Sequence, residues 1–178
     1  MSELPLLIVL AGRPGTGKTT LARRLSTELR AVYLRIDAVE TAVVRCGLAE
    51  PPVGPIGYAV VHEIASANLA LGMPVVVDAV NPVPEARSGW QHLAERGRLV
   101  VLETTVPDEQ EHRRRVTARV PDMTGQVVPT WSEVVDADYA EWDEQRDGPR
   151  TLIDMTATDR AVGQVLDVLA HSKSLPLI

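Results

Sequence analysis

The stretch Gly12-Arg13-Pro14-Gly15-Thr16-Gly17-Lys18-Thr19 follows directly on the apolar run Leu6–Ala11. It reads G-x-x-x-x-G-K-T, the pattern of a phosphate-binding loop, and it stands between a buried strand and a helical repeat, where that pattern has meaning. Glycines lack a Cβ, so the loop's N–H groups can approach a polyphosphate, and the following helix adds its positive N-terminal end. We therefore expect ATP and Mg²⁺ to bind here, the nucleotide to residues Gly12, Arg13, Pro14, Gly15, Thr16, Gly17, Lys18, Thr19 and Thr20.

Two side chains of this loop have roles of their own. In the pattern, the lysine reaches the β- and γ-phosphates, which makes Lys18 catalytic as well as nucleotide-binding. The hydroxyl that follows is a magnesium ligand, which assigns Thr19 to the metal. Only two of the eighteen basic residues are lysine, and one of them stands here, where a slim ammonium fits better than a guanidinium fork.

Size and composition limit the possible functions. A chain of 178 residues, 45% of them hydrophobic, can bury one core, so we expect a single domain over residues 1–178. A net charge of −6, 3% aromatic residues and no Phe argue against a nucleic-acid partner. The one cysteine, Cys46, excludes an internal disulfide framework and fits a cytoplasmic protein. No apolar run is long enough to span a membrane, and the N-terminal apolar stretch lacks the basic flank of a signal peptide.

Strand and helix patterns alternate along the whole chain. This order predicts an α/β fold in which a parallel sheet is covered by helices on both faces. Residues 120–130 have turn formers and no periodic apolar face, which indicates a mobile loop. A capping-box pattern at Thr130 to Glu133 predicts that a helix begins there and runs to about Arg146.

Two acids fall where predicted strands end. In parallel sheets ligands collect at the carboxyl ends of the strands, so Asp37 and Asp78 should lie near the phosphate loop. Asp78 resembles a carboxylate that holds magnesium, and we assign it to the metal with Thr19. Asp37 is placed to accept a proton from an acceptor hydroxyl, although it could instead cap the next helix. Glu40, one turn further, either lines the same pocket or is solvated.

Several arginines could stabilise phosphoryl charge. Arg115 and Arg119 lie one helical turn apart just before the mobile loop, and loop closure would bring them onto the phosphates. We therefore predict both as catalytic, with Arg119 also beside the nucleotide. Arg87 either contacts the acceptor or lies on the surface.

The chain resembles the small P-loop kinase and AAA-type ATP-binding proteins related to gluconate kinase, chloramphenicol phosphotransferase, adenylate kinase and polynucleotide kinase. The matching stretches are residues 12–20, 34–40 and 69–81 and the pair Arg115/Arg119. The resemblance implies a P-loop NTPase fold with five parallel strands in the order 2-3-1-4-5 and a small mobile lid at about 115–130. It also implies that the acid after the second strand, Asp37, handles the acceptor and that the lid carries the arginines.

These observations favour an ATP- and magnesium-dependent phosphotransferase that acts on a hydroxyl of a small molecule such as a sugar, a nucleoside or an antibiotic. Two alternatives stay open: a nucleotide-binding switch or slow ATPase without an acceptor, and a polynucleotide 5′-hydroxyl kinase. We expect a monomer or homodimer, because the chain is too short for a full AAA+ module with a helical second domain. The sequence does not identify the acceptor or decide between ATP and GTP.

Overall fold

Among the residues that the structure describes, five strands form one fully parallel sheet in the order β2-β3-β1-β4-β5. The computed structural model describes residues 4–171. Its strands are β1 Leu6–Ala11, β2 Val32–Arg35, β3 Val75–Asp78, β4 Arg98–Thr105 and β5 Thr151–Asp154. The strand order that the resemblance implied, 2-3-1-4-5, is therefore confirmed, and so is the α/β P-loop NTPase fold.

Helices connect the strands and cover both faces of the sheet. They are α1 Lys18–Leu29, α2 Ile36–Arg45, α3 Ile56–Ala70, α4 Pro84–Gln91, α5 Glu109–Thr117, α6 Trp131–Asp136, α7 Glu144–Asp147 and α8 Thr158–His171. In the part of the chain that the structure describes, no helix combines the length and the apolar character needed to cross a membrane.

The central strand β1 divides the core in two because successive side chains of a strand point to opposite faces. Ile8 and Leu10 are buried against the face that α1 and α8 cover. Leu7 and Val9 are buried against the opposite face, which α3 and α4 cover. Burial on both faces explains why this strand is a continuous apolar run rather than an alternating one.

The predicted helix from Thr130 to about Arg146 is wrong. The capping box at Thr130 forms, but α6 ends at Asp136 and a separate turn of helix, α7, begins at Glu144. Arginines from elsewhere in the chain take the carbonyl oxygens that a continuous helix would use. Arg13 donates to the carbonyls of Val134 and Ala137, and Arg87 donates to those of Ala140 and Glu141.

Arg87 also occupies a different place from either one predicted for it. Its side chain has no exposed area, and its Nη1 donates to Oδ2 of Asp147 at 2.8 Å. Asp147 is equally buried. The reason is that these residues join α4 to the 137–148 segment as a buried ion pair, so Arg87 does not line the cavity described below.

The topology fixes where the functional residues meet. Strand β3 lies between β1 and β2, and the register pairs Asp78 with Leu10 on one side and with Arg35 on the other. The phosphate loop follows β1 and helix α2 follows β2, so both begin beside Asp78. Residues 118–130, called the lid segment below, form neither helix nor strand. The predicted lid began at about residue 115, but α5 continues through Thr117.

Candidate functional site

The phosphate loop has the backbone shape that its glycines predict. Gly12 and Gly17 have φ of 130° and 93°, in the region that favours glycine. A Cβ on Gly12 would lie 2.6 Å from the carbonyl oxygen of Thr104 on β4, so this position also has no room for a side chain. The Thr16 hydroxyl closes the loop by bonding to the carbonyl of Arg13 and to the Thr104 hydroxyl. These φ angles and the two hydrogen bonds of Thr16 therefore fix the conformation of the loop backbone.

Lys18 is buried at the base of this loop, and its Nζ donates to the carbonyls of Gly12 at 2.8 Å and Arg13 at 2.9 Å. Burial lowers the pKa of Lys18 to about 8, and the carboxylates of Asp78 and Asp37 oppose that shift. The two carbonyl oxygens carry only partial charges, so they do not fully replace the water that the Lys18 ammonium has lost. A nearby anion would therefore stabilise its charged form. The site thus contains a buried positive charge that a bound anion would stabilise.

Asp78 ends β3 at the floor of the site and is 4% exposed. Its Oδ2 accepts a hydrogen bond from the Tyr33 hydroxyl at 3.0 Å and lies 3.7 Å from Nε of Arg35. Burial, followed by the negative charge of Asp78, raises the pKa of Tyr33, so this phenol stays a neutral donor. Tyr33 and Arg35 therefore fix the orientation of the Asp78 carboxylate.

The residues predicted for magnesium fit a hard cation. Thr19 and Asp78 both line the cavity and offer a hydroxyl and a carboxylate oxygen, the donor types that Mg²⁺ takes together with water and phosphate oxygens. Between residues 4 and 171, no group of three or more His, Cys, Asp or Glu side chains could hold a metal by itself. A magnesium ion here would therefore need the phosphates of a nucleotide as further ligands.

Asp37 lies in the first turn of α2, two residues beyond the end of β2. Its Oδ2 faces three donors: Nη2 of Arg35 at 3.2 Å, Nε2 of Gln126 at 3.5 Å and Nη2 of Arg119 at 3.7 Å. Among the described residues no partner contacts Oδ1, and the side chain is 40% exposed into the cavity. One oxygen is thus anchored, and the other is available to a ligand.

Sequence reasoning missed Arg35, whose side chain is 3% exposed and faces three carboxylates. Both oxygens of Asp122 in the lid segment accept from its Nη1, at 2.9 and 3.0 Å. Burial alone would lower the pKa of Arg35, but Asp37, Asp122 and Asp78 together raise it. The available signal was an arginine at the end of a predicted strand, two residues before Asp37, because a charge buried there must be paired.

Asp122 was also missed, because a turn-rich stretch gives no indication of what it contacts. Besides Arg35, it accepts from Nη2 of Arg23 on α1 at 2.6 Å. The backbone N–H of Asp122 donates to the side chain of Gln126, which in turn faces Asp37. The lid segment is therefore fastened across the cavity to α1, β2 and α2.

The two predicted lid arginines are in different places. Arg119 lines the cavity beside Asp37. Arg115 does not line it: its Nε donates to Glu111 at 2.7 Å and its Nη1 to the carbonyl of Met155 at 2.9 Å. The structure thus brings Lys18, Thr19, Asp37, Asp78 and Arg119 together and leaves Arg115 apart, so its catalytic role stays a prediction.

One cavity of about 690 Å³ contains this arrangement. Of the predicted nucleotide-binding residues, those that line it are Pro14, Gly15, Gly17, Lys18, Thr19, Thr20 and Arg119. Gly12, Arg13 and Thr16 belong to the loop but do not line the cavity. The guanidinium of Arg13 stacks 5.0 Å from the ring centre of Tyr139. The cavity continues past the loop to α2, the 51–54 loop and the lid segment.

The family model of an AAA domain matches residues 7–148, which is most of the chain. The protein belongs to this AAA-domain family. The match contains the phosphate loop, both strand-end acids and the lid segment. The resemblance to small P-loop kinases and AAA-type proteins is thereby confirmed.

A relative and two solved structures share between 18% and 35% of their aligned residues with this chain. Over 106 residues the chain is 35% identical to the ATPase family gene 2 protein homolog B of Bos taurus. This aligned stretch covers 60% of this chain and 13% of that protein. Among solved structures, a gluconokinase from Sinorhizobium meliloti 1021 is 19% identical, with a TM-score of 0.68 over 96% of this chain and 94% of the other. The APS kinase CysC of Mycobacterium tuberculosis, in complex with AMPPNP and APS, is 18% identical, with a TM-score of 0.69 over 95% and 99% of the two chains. At such identities these structures establish the fold.

Proposed function

We propose that this protein transfers the γ-phosphate of ATP, taken as its magnesium complex, to a hydroxyl group of a small molecule. The observation that carries the proposal is that the phosphate loop and the partly exposed Asp37 carboxylate line the same cavity. At about 690 Å³ it has the size of an ordinary small-molecule site. The loop and Lys18 occupy only one side of it, which leaves the side toward α2 for an acceptor.

The reaction uses the residues in their present positions. Backbone N–H groups of the loop and Lys18 bind the β- and γ-phosphates. Thr19 and Asp78 would hold magnesium, which would neutralise phosphate charge when bound. The acceptor hydroxyl donates its proton to Oδ1 of Asp37 while its oxygen bonds to the γ-phosphorus. The bond from that phosphorus to the β,γ-bridging oxygen breaks, and ADP leaves. Arg119, next to Asp37, stabilises the charge on the transferred group.

An acceptor screen that follows ADP release tests the proposal. At least one sugar, nucleoside, aminoglycoside or other antibiotic should stimulate release and become phosphorylated. With that acceptor, Asp37→Asn should lower kcat by about 10²- to 10⁴-fold, the usual contribution of a general base, while nucleotide affinity changes little. Asp138→Asn, an exposed acid outside the cavity, is the matched control. Full transfer by Asp37→Asn would exclude Asp37 as the base.

A second function is favoured by one comparison, the relative that is named an ATPase. In that case the protein would hydrolyse ATP slowly, or change conformation with it, without an acceptor. The same screen separates the two functions. ADP release that no acceptor stimulates and that Asp37→Asn leaves unchanged would favour the ATPase.

A further inference from the structure

The cavity has a second half that the phosphates of a nucleotide would not fill. We call it the acceptor half, and it is bounded by Glu40, Thr41 and Val44 of α2, by Pro51, Pro52, Val53 and Gly54, by Val80, and by Gly125, Val127 and Pro129 of the lid segment. Most of these residues are apolar, and the one charged side chain among them is an acid. The composition of this wall restricts the acceptors that fit the proposed function.

The cationic side chains of the cavity are already engaged. Four line it in the described part of the chain: Lys18, Arg23, Arg35 and Arg119. Arg23 and Arg35 are held by Asp122, at 2.6 and 2.9 Å. Lys18 and Arg119 lie on the phosphate side, where the proposed reaction uses them. No cation of the described cavity wall therefore remains for an acidic acceptor, whose charge would meet Glu40 and Asp37 instead.

Glu40 has the opposite property, because it is an acid without a cation. Among the described residues it makes no hydrogen bond and no ion pair. Its side chain extends from α2 and packs against the start of α3. A Cβ placed on Gly57 would lie 2.8 Å from its Cγ and 3.0 Å from its Oε1. Burial, followed by the negative charge of Asp37, raises the pKa of Glu40. A positive group beside this carboxylate would compensate for both effects.

The spacing of the two acids gives the ligand a geometry. Asp37 and Glu40 are three residues apart on α2 and line the same cavity. Residues at this spacing share a helix face, with Cβ atoms about 5–6 Å apart. A ligand that gives its hydroxyl to Asp37 therefore has its neighbouring polar group, a few bonds away, at Glu40. The remainder of such a ligand would lie against Val44, the 51–54 loop and Val127, which line the same cavity.

We infer, on the basis of the proposed function, that the acceptor is an amino alcohol with an apolar substituent, its hydroxyl on Asp37 and its ammonium on Glu40. The apolar substituent packs against the valine and proline side chains of the acceptor half. Acidic acceptors are rejected because they would place a second anion beside Glu40 without a free cation to compensate it.

Matched sets of compounds test the charge of the acceptor. One set is 2-amino-1-phenylethanol, its N-acetyl derivative and mandelate, which share the phenyl and hydroxyl groups and differ in charge. An equivalent set on a cyclohexyl scaffold accompanies it. Binding of each compound to the protein saturated with Mg²⁺ and AMPPNP is followed by calorimetry up to about 10 mM, above the roughly 1 μM to 1 mM at which enzymes hold substrates. Within at least one set the amine should bind about ten- to a hundredfold more tightly than the neutral and acidic members.

Glu40→Gln should abolish this preference for the amine while keeping the shape of the side chain. Glu63→Gln, on the exposed face of α3 and outside the cavity, removes the same charge and should preserve the preference. The inference is overturned if acids or acetamides bind as well as amines, if no amine binds, or if Glu40→Gln preserves the preference.

The failure of this inference and the failure of the proposed function give different results. Acids that stimulate ADP release better than amines would leave a kinase with another acceptor. Amines that bind in a Glu40-dependent way but are never phosphorylated would leave the charge preference and remove the kinase.

Discussion

Burial of the Lys18 ammonium lowers the stability of the folded protein, although the proposed function requires a positive charge at this position. Its ammonium is buried against two carbonyl oxygens, and this lowers its pKa from 10.5 to about 8. Because the unfolded chain keeps the proton up to about pH 10.5, the folded protein binds fewer protons than the unfolded one between these two values. The free energy of unfolding therefore carries a penalty below pH 8 that disappears as the pH rises to 10.5.

Lys18→Met exposes this penalty. The variant lacks the titrating group, so its free energy of unfolding relative to the wild type should fall by about 3 kcal/mol from pH 8 to pH 10.5. Urea unfolding of both proteins at matched pH measures the difference, in which the other titrating groups cancel. Arg24→Met, a side chain that is 48% exposed, is the control and should give a difference that does not vary over this range. A constant difference for Lys18→Met as well would show that Lys18 keeps an ordinary pKa.

At the residue scale, the sequence specified the side chains whose role follows from a motif or a strand end. Lys18, Thr19, Asp37 and Asp78 meet in one cavity because the sheet order brings three strand ends together. Arg35 could not be assigned in this way, since its function depends on carboxylates from three different segments.

At the scale of elements, the lid segment depends on one acidic residue. Asp122 accepts from Arg35 and Arg23, and these bonds lower its pKa although burial opposes the shift. No other carboxylate of residues 118–130 is present to replace it. The segment has no backbone ladder of its own, so its position over the cavity rests on side-chain bonds such as these.

Asp122→Ala should release the lid segment without unfolding the domain. Amide exchange of residues 120–130 should become faster, and the KM for ATP should rise several-fold, because a mobile lid closes the site less often. Hydrogen exchange followed by mass spectrometry measures the first effect, and steady-state kinetics the second. Asp159→Ala, which removes the exposed ion pair with Arg24, should change neither. Unchanged exchange in Asp122→Ala would mean that other contacts hold the segment.

The elements that sequence patterns predicted well are those with a local cause. The strand β1, the helix after the loop and the capping box at Thr130 all follow from neighbouring residues. The break between α6 and α7 does not, because Arg13 and Arg87 compete for the carbonyl oxygens from more than fifty residues away. A one-dimensional pattern contains no information on such competition.

At the scale of the whole molecule, the 137–148 segment is joined to the domain by charges rather than by a helix face. Arg87 and Asp147 are both fully buried at 2.8 Å, and Arg87 also lies 4.5 Å from the ring centre of Trp142. Hydrogen bonds from Arg146 and Arg87 lower the pKa of Asp147 against the effect of burial. This buried ion pair holds the 137–148 segment against α4, so the packing of the segment depends on it.

Asp147→Asn should destabilise the whole domain, because it leaves the charge of Arg87 buried without a counter-ion. Breaking a buried pair in this way costs about 3–5 kcal/mol, a large part of the stability of a domain of this size. Urea unfolding should show a lower midpoint with an unchanged slope. Arg114→Met, whose side chain is 70% exposed, breaks a surface ion pair with Glu111 and should lower the midpoint only slightly. The double variant Arg87→Met with Asp147→Leu should recover part of the loss, because it removes both charges. A double variant whose loss equals the sum of the losses in Arg87→Met alone and Asp147→Leu alone would mean that Arg87 and Asp147 act independently.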